Sequence, residues 1–432
     1  MSSYRQPGIV LTDRRFTVPL DHDDPGGESI EIFGREAVAS GRATEHLPWL
    51  VYLEGGPGFG ARRFVGTEAW LGRAVREFRV LLLDQRGTGL STPANRQTLP
   101  LRGGAREQAD YLAHFRSDSI VRDCELIRPR LTGGAPWTVL GQSFGGFCAV
   151  HYLSAAPEGL EAVLITGGLP SLDAHADDVY RAAYPRIERK VAAHYARYPQ
   201  DVARARAIAA HLAEHRPDSA GHTLTPEGFQ SLGIMLGSGN GSHQLHYLLE
   251  NAFVEGPHGA ELSDAFQEAM RTATSFAGHP LYALMHEPIY GQGARPTDWA
   301  AERVRAEFPQ FDAAALAGDG LVLFTGESIH PWHFDVDPAL RPLRETAELL
   351  AARTDWPVLY DTERLAANEV PVAAAVYHDD MYVDTGHALR TASSIRGLRT
   401  WVTSEYEHDG VRAGGPHVLD RLLALVRGES DR

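Results

Sequence analysis

Residues 137–150 read Trp137-Thr-Val-Leu-Gly-Gln-Ser-Phe-Gly-Gly-Phe-Cys-Ala-Val150. The β-branched and apolar residues 138–140 predict a short buried strand, and the pattern from Phe147 onward predicts a helix. Between them lies G-x-S-x-G, the sequence of a turn so sharp that glycines stand two residues before and after the serine. A glycine-rich structural turn with an incidental serine has the same pattern. The stretch therefore predicts a nucleophile, Ser143, if the rest of the chain supplies the groups that such a serine needs.

Further buried strands are predicted along the first 170 residues. Continuous apolar runs at 48–53, 79–83 and 162–166 are typical of strands covered on both faces, and helical patterns separate them. Two short runs within 9–20 and the alternating segment 29–38 predict a meander with one solvated face. Strand–helix alternation implies a mostly parallel sheet with its functional loops at the carboxyl ends of the strands.

The pattern changes between residues 170 and 344, where charged, alanine-rich helical stretches replace the buried strands. In this region only residues 321–324 have the composition of a sheet strand. We interpret the region as a mainly helical cap inserted into an α/β core. The predicted division is 1–169 for the first part of the core, 170–344 for the cap and 345–432 for the second part of the core. The predicted cap helices span 174–198, 201–215, 228–253 and 261–274.

The last part of the chain supplies candidates for the groups that activate a serine. Strands are predicted at 370–377 and 399–403, with helices at 385–395 and 418–426. A serine hydroxyl needs an adjacent base, which a third group orients, and in this topology the order is serine, acid, histidine. Asp379 and Asp380 follow the first late strand, and His408 follows the second. His387 lies inside the intervening helix with no strand before it, so His408 is the better candidate.

An oxyanion hole requires two backbone N–H groups that point to the position where negative charge develops. Phe144, directly after the serine, is the first candidate donor. Gly55 and Gly56 follow an earlier strand and let the backbone approach a substrate closely, whereas Pro57 has no N–H. We expect Gly55 and Phe144 to donate the two hydrogen bonds.

Composition limits the possible partners of the 432-residue chain. Its formal net charge of −15 argues against nucleic acid and against an anionic membrane surface. Two cysteines, Cys124 and Cys148, cannot form a disulfide framework, the N-terminus has no apolar signal core, and no apolar stretch of roughly 18 residues exists. We therefore expect a cytoplasmic protein.

Metal and cofactor chemistry is not predicted. His243 and His246, like His330 and His333, are three residues apart, but no H-E-x-x-H motif or cysteine cluster accompanies them. We expect neither a metal nor a cofactor.

Three motifs together resemble the proline iminopeptidase (prolyl aminopeptidase) family of serine peptidases, which have the α/β-hydrolase fold. They are Gly55-Gly-Pro-Gly58, Asp84-Gln-Arg-Gly-Thr-Gly-Leu-Ser91 and Gly141-Gln-Ser-Phe-Gly-Gly146. The resemblance covers most of the chain and is greatest to the larger-cap branch. It implies a mostly parallel sheet flanked by helices, a large helical cap, and a peptide substrate with a free N-terminus.

The resemblance also implies roles for single residues. It makes Ser143 the nucleophile, His408 the base and Asp380 the orienting acid, with Asp379 as the alternative. The family often has His or Gln where this chain has Glu54, and smaller members have Trp in place of Phe144. We expect both departures to line the substrate pocket.

An aminopeptidase holds the substrate's ammonium group with carboxylates, which the family supplies from its cap. Family likeness singles out Glu287, Glu327 and Glu250 as candidates, although any of them could be a solvated helix residue. For an apolar pocket that fits a prolyl ring, the candidates are Phe144, Trp332 and Phe334, each of which could equally belong to the cap core.

The sequence leaves two other functions open. A carboxylesterase or lactonase would use the same serine, acid and histidine, and only the cap acids separate it from a peptidase. The sequence also favours an enzyme over a non-catalytic binding protein of this fold, because every catalytic part is present. The sequence does not indicate an oligomeric state.

Overall fold

The computed structural model of the protein describes residues 2–257, 259–313 and 320–429. These residues form one large sheet and two small hairpins. The strands are β1 (Ser3–Gln6), β2 (Ile9–Pro19), β3 (Ser29–Ala39), β4 (Trp49–Leu53), β5 (Arg79–Leu83), β6 (Trp137–Gln142), β7 (Leu160–Thr166), β8 (Asp218–Ser219), β9 (His222–Thr223), β10 (Phe253–Gly256), β11 (Gly259–Leu262), β12 (Val372–Tyr377) and β13 (Arg399–Thr403).

The nine-stranded sheet has the order β1-β2-β3-β5-β4-β6-β7-β12-β13. Six neighbouring strands of this sheet run parallel, namely β5, β4, β6, β7, β12 and β13. In contrast, β1, β2 and β3 are antiparallel to their neighbours. The predicted mostly parallel sheet and its N-terminal meander are therefore confirmed. The two short runs predicted within 9–20 are one continuous strand, because β2 pairs with β3 along all of its length.

Helices cover both faces of this sheet and fill the region between β7 and β12. They are α1 (Ala69–Ala74), α2 (Ala105–Leu112), α3 (Ser117–Thr132), α4 (Phe144–Ala155), α5 (Ala176–Arg197), α6 (Asp201–His215), α7 (Pro226–Ser231), α8 (Gly241–Glu250), α9 (Asp264–Thr274), α10 (Pro280–Met285), α11 (Ala300–Arg305), α12 (His333–Val336), α13 (Arg344–Ala351), α14 (Thr362–Ala366), α15 (Thr385–Ser394), α16 (Gly410–Ala413) and α17 (Pro416–Arg427). None of the helices in the described residues is long and apolar enough to cross a membrane.

Alternation along the central strands explains why both faces need helices. In β4, Val51 and Leu53 face the cluster that contains α3 and α4, whereas Leu50 and Tyr52 face the cluster that contains α1 and α17. Successive side chains of a strand point to opposite faces, so a wholly apolar strand is stable only between two apolar layers. Each large side chain buried in this way contributes roughly 1.5–3 kcal/mol of transfer free energy.

The predicted strand at 321–324 is wrong. Val322, Leu323 and Phe324 are buried, but their backbone does not join a strand. Instead, the carbonyl oxygens of Val322 and Leu323 accept hydrogen bonds from Tyr195 Oη (2.7 Å) and Gln230 Nε2 (2.9 Å). Side chains of the surrounding helices thus satisfy the polar groups that a neighbouring strand would otherwise satisfy.

The described residues between β7 and β12 have their own apolar cluster, in which Val191, Ile208 and Phe229 are fully buried. The predicted helices at 174–198 and 201–215 correspond to α5 and α6. The helix predicted at 228–253 is instead divided into α7, a 3-10 segment at 232–237 and α8. The boundaries of the cap at residues 170 and 344 stay predictions.

Candidate active site

The turn between β6 and α4 holds Ser143 in a backbone conformation that side chains rarely adopt, with φ 53° and ψ −123°. Its amide donates a hydrogen bond to the Thr166 carbonyl oxygen at 3.0 Å. A side chain at Gly145 would overlap the Leu53 carbonyl group, and one at Gly141 would overlap the backbone of Gly145. The two glycines are therefore required for the sharp turn that presents Ser143 at the carboxyl end of β6.

The loops after β12 and β13 bring an aspartate and a histidine together. Asp380 Oδ2 lies 2.7 Å from His408 Nδ1. Asp380 Oδ1 accepts hydrogen bonds from the backbone N–H groups of Tyr382 and Val383 at 2.8 and 3.0 Å. The carboxylate is thus held by its own loop, and it fixes His408 with Nδ1 as the hydrogen-bond donor. The other ring nitrogen, Nε2, is left to act as the base and lies 3.4 Å from Gln142 Nε2.

Two opposing effects set the charge of His408. Burial disfavours the imidazolium and lowers the pKa, but the negative charge and the hydrogen bond of Asp380 together outweigh burial. The pKa of His408 is therefore raised above its usual value. When His408 accepts a proton, the charge and the hydrogen bond of Asp380 stabilise the imidazolium that forms.

The alternatives to Asp380 and His408 lie elsewhere. The Asp379 side chain is 53% exposed, and its Oδ1 contacts His378 Nδ1 at 3.0 Å. His387 lies in α15, where its Nδ1 contacts Arg390 Nη2 at 2.7 Å. The structure thus brings Asp380, the second of the two adjacent aspartates, to His408.

Ser143 and His408 line one cavity of about 530 Å³ between the sheet and the cap. Glu327 lines it from the cap side, and its Oε1 accepts a hydrogen bond from Tyr282 Oη at 2.7 Å. Glu327 is half-buried, so its carboxylate has access to the cavity. A negative group therefore lies in the same enclosed space as the serine and the histidine.

The other predicted binding residues lie away from this cavity. Glu287 is buried beside α11, where its carboxylate accepts the backbone N–H groups of Ala300 and Ala301 at 3.0 and 2.9 Å. Glu250 is exposed at the end of α8, near His246. Glu287 therefore caps the start of α11, and Glu250 lies at the protein surface.

The aromatic candidates also lie outside the cavity. Trp332 stacks on His333 with ring centroids 3.7 Å apart and lines a separate pocket. The rings of Phe144 and Phe334 are buried in apolar clusters of the core and of the cap side, respectively.

The candidate oxyanion donors surround the serine. Phe144 is the first residue of α4, so its backbone N–H has no acceptor within the helix and lies at the positive end of the helix dipole. A side chain at Gly55 would come within 2.9 Å of Ser143 Cβ, which shows how closely this loop approaches the nucleophile. The Gly55 N–H donates to Glu54 Oε1 at 3.1 Å in this structure. It would have to leave that carboxylate to bind a substrate oxyanion.

Several cavity residues were not predicted from the sequence. The Tyr382 ring packs edge-on against His408 with centroids 4.8 Å apart, and its hydroxyl donates to the Ile234 carbonyl of the cap. The rings of Phe59 and His279 are tilted by 32° with centroids 4.4 Å apart, and with Phe276 they line one wall of the cavity. An aromatic residue in a helical pattern gives the same sequence signal whether it faces a core or a cavity, so no pattern distinguished these. Glu54, which the sequence did single out, lines the cavity and is buried.

The described residues contain no group of three or more His, Cys, Asp or Glu side chains that could hold a metal ion. Cys124 and Cys148 are both buried free thiols, and burial raises their pKa values.

The buried carboxyl group of Glu287 leads to a prediction about stability. Burial raises its pKa from 4.5 to about 7, despite the two backbone N–H donors that lower it. Between these pH values the unfolded chain loses this proton while the folded chain keeps it. The free energy of unfolding is therefore expected to decrease by about 3 kcal/mol as the pH rises through this window. Glu287→Gln should remove that decrease, as measured by urea unfolding at several pH values from 4.5 to 8.

Glu250→Gln is the control, because Glu250 is exposed and its replacement should leave the pH dependence as it is in the unmodified protein. If Glu287→Gln and the unmodified protein gave parallel stability curves, the raised pKa of Glu287 would be wrong.

The fold and the residues around Ser143 define a serine hydrolase of the α/β-hydrolase class. A family model described as the alpha/beta hydrolase fold matches residues 48–252. The chain is 48% identical over 428 residues to the proline iminopeptidase of Aeromonas sobria, an alignment that covers 98% of both chains. The chain belongs to the proline iminopeptidase family.

A fungal relative supports this assignment. A proline iminopeptidase of Aspergillus aculeatus is 36% identical over 437 residues, covering 99% of this chain and 96% of the relative. Among solved structures, the proline iminopeptidase of Mycobacterium smegmatis is 15% identical with a TM-score of 0.44, and the match covers 96% of this chain and all of that one.

Proposed function

We propose that this chain is an aminopeptidase that releases N-terminal residues, preferably proline, from peptides with a free N-terminus. The observation that carries the proposal is the common cavity. The strained serine, His408 and Glu327 line one space of about 530 Å³, and Asp380 contacts His408. The volume is within the usual range for sites that enclose a small ligand. The names of the two relatives support proline as the preferred residue.

In the proposed reaction, Ser143 Oγ attacks the scissile carbonyl carbon while His408 Nε2 accepts the hydroxyl proton. The Asp380 carboxylate stabilises the imidazolium that results. The Phe144 N–H, joined by the Gly55 N–H once it leaves Glu54, stabilises the oxyanion of the tetrahedral intermediate. His408 then donates the proton to the leaving amine as the C–N bond breaks. Water then gives a proton to His408 as it attacks the acyl carbon, and His408 donates that proton to Ser143 Oγ as the acyl–oxygen bond breaks.

We assign Glu327 to the substrate's ammonium group. Its carboxylate faces the cavity, is oriented by the Tyr282 hydroxyl, and lies on the cap side, opposite the sheet that carries Ser143. Charge-assisted hydrogen bonds of this kind are strong where water is excluded. Glu287 and Glu250 are left out of the proposed binding site because their carboxylates lie elsewhere.

The test of this function compares proline arylamides with a free or an acylated amine. Prolyl arylamide with a free amine should be hydrolysed. Acylation of the amine should abolish turnover, because the acylated nitrogen is uncharged and cannot form an ion pair with Glu327. Glu327→Gln should lower kcat/KM for the free substrate about 10- to 100-fold. Glu250→Gln, at an exposed glutamate outside the cavity, should leave kcat/KM unchanged.

The outcomes separate this function from its main alternative. Retained turnover of the blocked arylamide would contradict the ammonium site. A short-chain aryl ester that is hydrolysed well beside an inert prolyl arylamide would instead favour the carboxylesterase or lactonase.

We also propose a cytoplasmic location and a three-part division of the chain at residues 170 and 344. The two buried free thiols support the location, since secreted proteins commonly pair their cysteines. The separate apolar cluster between β7 and β12 supports the division. The net charge of −15 supports a peptide rather than nucleic acid or an anionic membrane as the partner.

A further inference from the structure

One wall of the cavity carries two half-exposed arginines that the proposed reaction does not use. Arg62 follows the Gly55 loop, and Arg412 lies in α16, four residues after His408. Both line the cavity, and their side chains are 48% and 51% exposed. Two cationic groups therefore lie within the space that would hold the substrate.

A buried carboxylate holds these two residues on the same wall. Glu54 Oε2 accepts the backbone N–H of Arg62 at 3.2 Å, and Glu54 Oε1 lies 3.4 Å from Arg412 Nη2. Arg62 Nη2 also lies 3.6 Å from Glu68 Oε1. Among the described residues, these long ion pairs engage one nitrogen of each guanidinium. Since a guanidinium carries five N–H donors, both arginines keep donors for a ligand.

The remaining acidic residue of this wall is already engaged. Asp409 also lines the cavity, and its Oδ1 accepts the backbone N–H of Gly239 at 3.2 Å. This contact joins the loop that carries His408 to the cap.

Glu327 and Arg412 act on His408 with opposite signs. Burial and Asp380 have the largest effects on the pKa of His408, and beyond them Glu327 raises this pKa while Arg412 lowers it. Glu327 and Arg412 both line the cavity, so a negative and a positive group share the space that His408 lines. A ligand with separated positive and negative ends matches this field.

We propose that Arg62 and Arg412 bind the C-terminal carboxylate of the residue that follows the scissile bond, so that free dipeptides are the preferred substrates. This inference rests on the proposed function. With the ammonium at Glu327 and the scissile carbonyl at Ser143, the leaving amine lies at His408. In a dipeptide the terminal carboxylate follows that amine within one residue, and Arg412 lies four residues beyond His408 in sequence and lines the same cavity.

Longer or neutral substrates lose this contact. Each additional residue moves the terminal carboxylate by about 3.5 Å. Amidation of the dipeptide removes the negative charge and leaves the rest of the substrate unchanged. The arginines therefore favour a free carboxylate one residue beyond the scissile bond over a longer or amidated peptide.

The experiment compares kcat/KM for prolyl-alanine, prolyl-alanine amide and prolyl-alanyl-alanine. The free dipeptide should exceed the other two about tenfold in the unmodified enzyme. In Arg412→Gln, and more fully in Arg62→Gln/Arg412→Gln, the ratio of free dipeptide to its amide should fall towards one. Loss of structure or of the catalytic geometry would lower turnover of both substrates alike and leave their ratio unchanged.

Arg15→Gln is the matched control, because Arg15 of β2 is 51% exposed and pairs with Glu31 of β3, outside the cavity. It should retain the full preference for the free dipeptide. If prolyl arylamide were hydrolysed but the free dipeptide and its amide reacted equally, or if the arginine variants kept the preference, the carboxylate site would be wrong and the aminopeptidase function would stand. If no prolyl substrate were hydrolysed, both proposals would be wrong.

Discussion

Ser143→Ala is expected to lower kcat for prolyl arylamide by at least about 10⁴-fold without unfolding the protein. The proposed reaction needs an oxygen nucleophile on this residue, because the acyl group must form a bond to Ser143 Oγ before the amine can leave. Alanine keeps the same backbone and Cβ, so the strain of the turn at φ 53° stays similar to that in the unmodified protein. Steady-state kinetics with the arylamide measure the effect.

Folding of the Ser143→Ala variant must be shown independently of activity. The circular dichroism spectrum and the midpoint of thermal unfolding should match those of the unmodified protein, since no hydrogen bond of the serine hydroxyl holds the turn in the described residues. A folded variant that retained more than about 1% of kcat would contradict the assignment of the nucleophile, because such a residue would be dispensable.

The sequence predicted the residues whose positions follow from sheet topology. Ser143, Asp380 and His408 follow β6, β12 and β13, and the carboxyl ends of parallel strands meet at one edge. Strand order and loop placement can be read from buried runs and their spacing. That reasoning left Asp379 and Asp380 as alternatives, because adjacent residues of a loop share a position in the topology but not a side-chain direction.

For the cap, the sequence did not determine which side chains face the cavity. Glu250 ends α8 and Glu287 follows α10, whereas Glu327 lies in an irregular segment before α12, and the local sequence does not distinguish the three. Their environments differ through tertiary packing: Glu287 caps α11, Glu250 is exposed, and Glu327 meets Tyr282 at the cavity. Helices of an irregular cap contact one another without the repeated register of a sheet, so sequence spacing does not determine which of their faces meet the substrate.

The difference between packing among helices and pairing in a sheet also explains why the strand predicted at 321–324 is absent from the structure. Its apolar composition correctly indicated burial, and Val322 and Phe324 are almost fully buried. Burial between helices and burial in a sheet require the same side chains, and they differ in the partner of the backbone. That partner, the side chain of Gln230, is 93 residues away from Leu323 in sequence and could not be inferred from the local pattern.

Asp380→Asn tests the acid, and a loss of kcat on the order of 10⁴-fold is expected. Asparagine Oδ1 can still accept the backbone N–H groups of Tyr382 and Val383, so the loop should keep its shape. Its amide group, however, is a donor where the carboxylate was an acceptor. His408 Nδ1 then becomes the hydrogen-bond acceptor, Nε2 carries the proton, and the histidine cannot accept one from Ser143.

The pH dependence of Asp380→Asn distinguishes this effect from general damage. Without the carboxylate, burial dominates and lowers the pKa of His408, which Asp380 raises in the unmodified protein. His408 must be neutral to act as a base, so the acidic limb of the residual kcat/KM profile should move to lower pH. Asp379→Asn is the matched control, because it changes the preceding, exposed aspartate and should leave both kcat and the profile unaltered. An acidic limb that stayed in place in Asp380→Asn, or a large loss of kcat in Asp379→Asn, would contradict the pairing of Asp380 with His408 as the basis of catalysis.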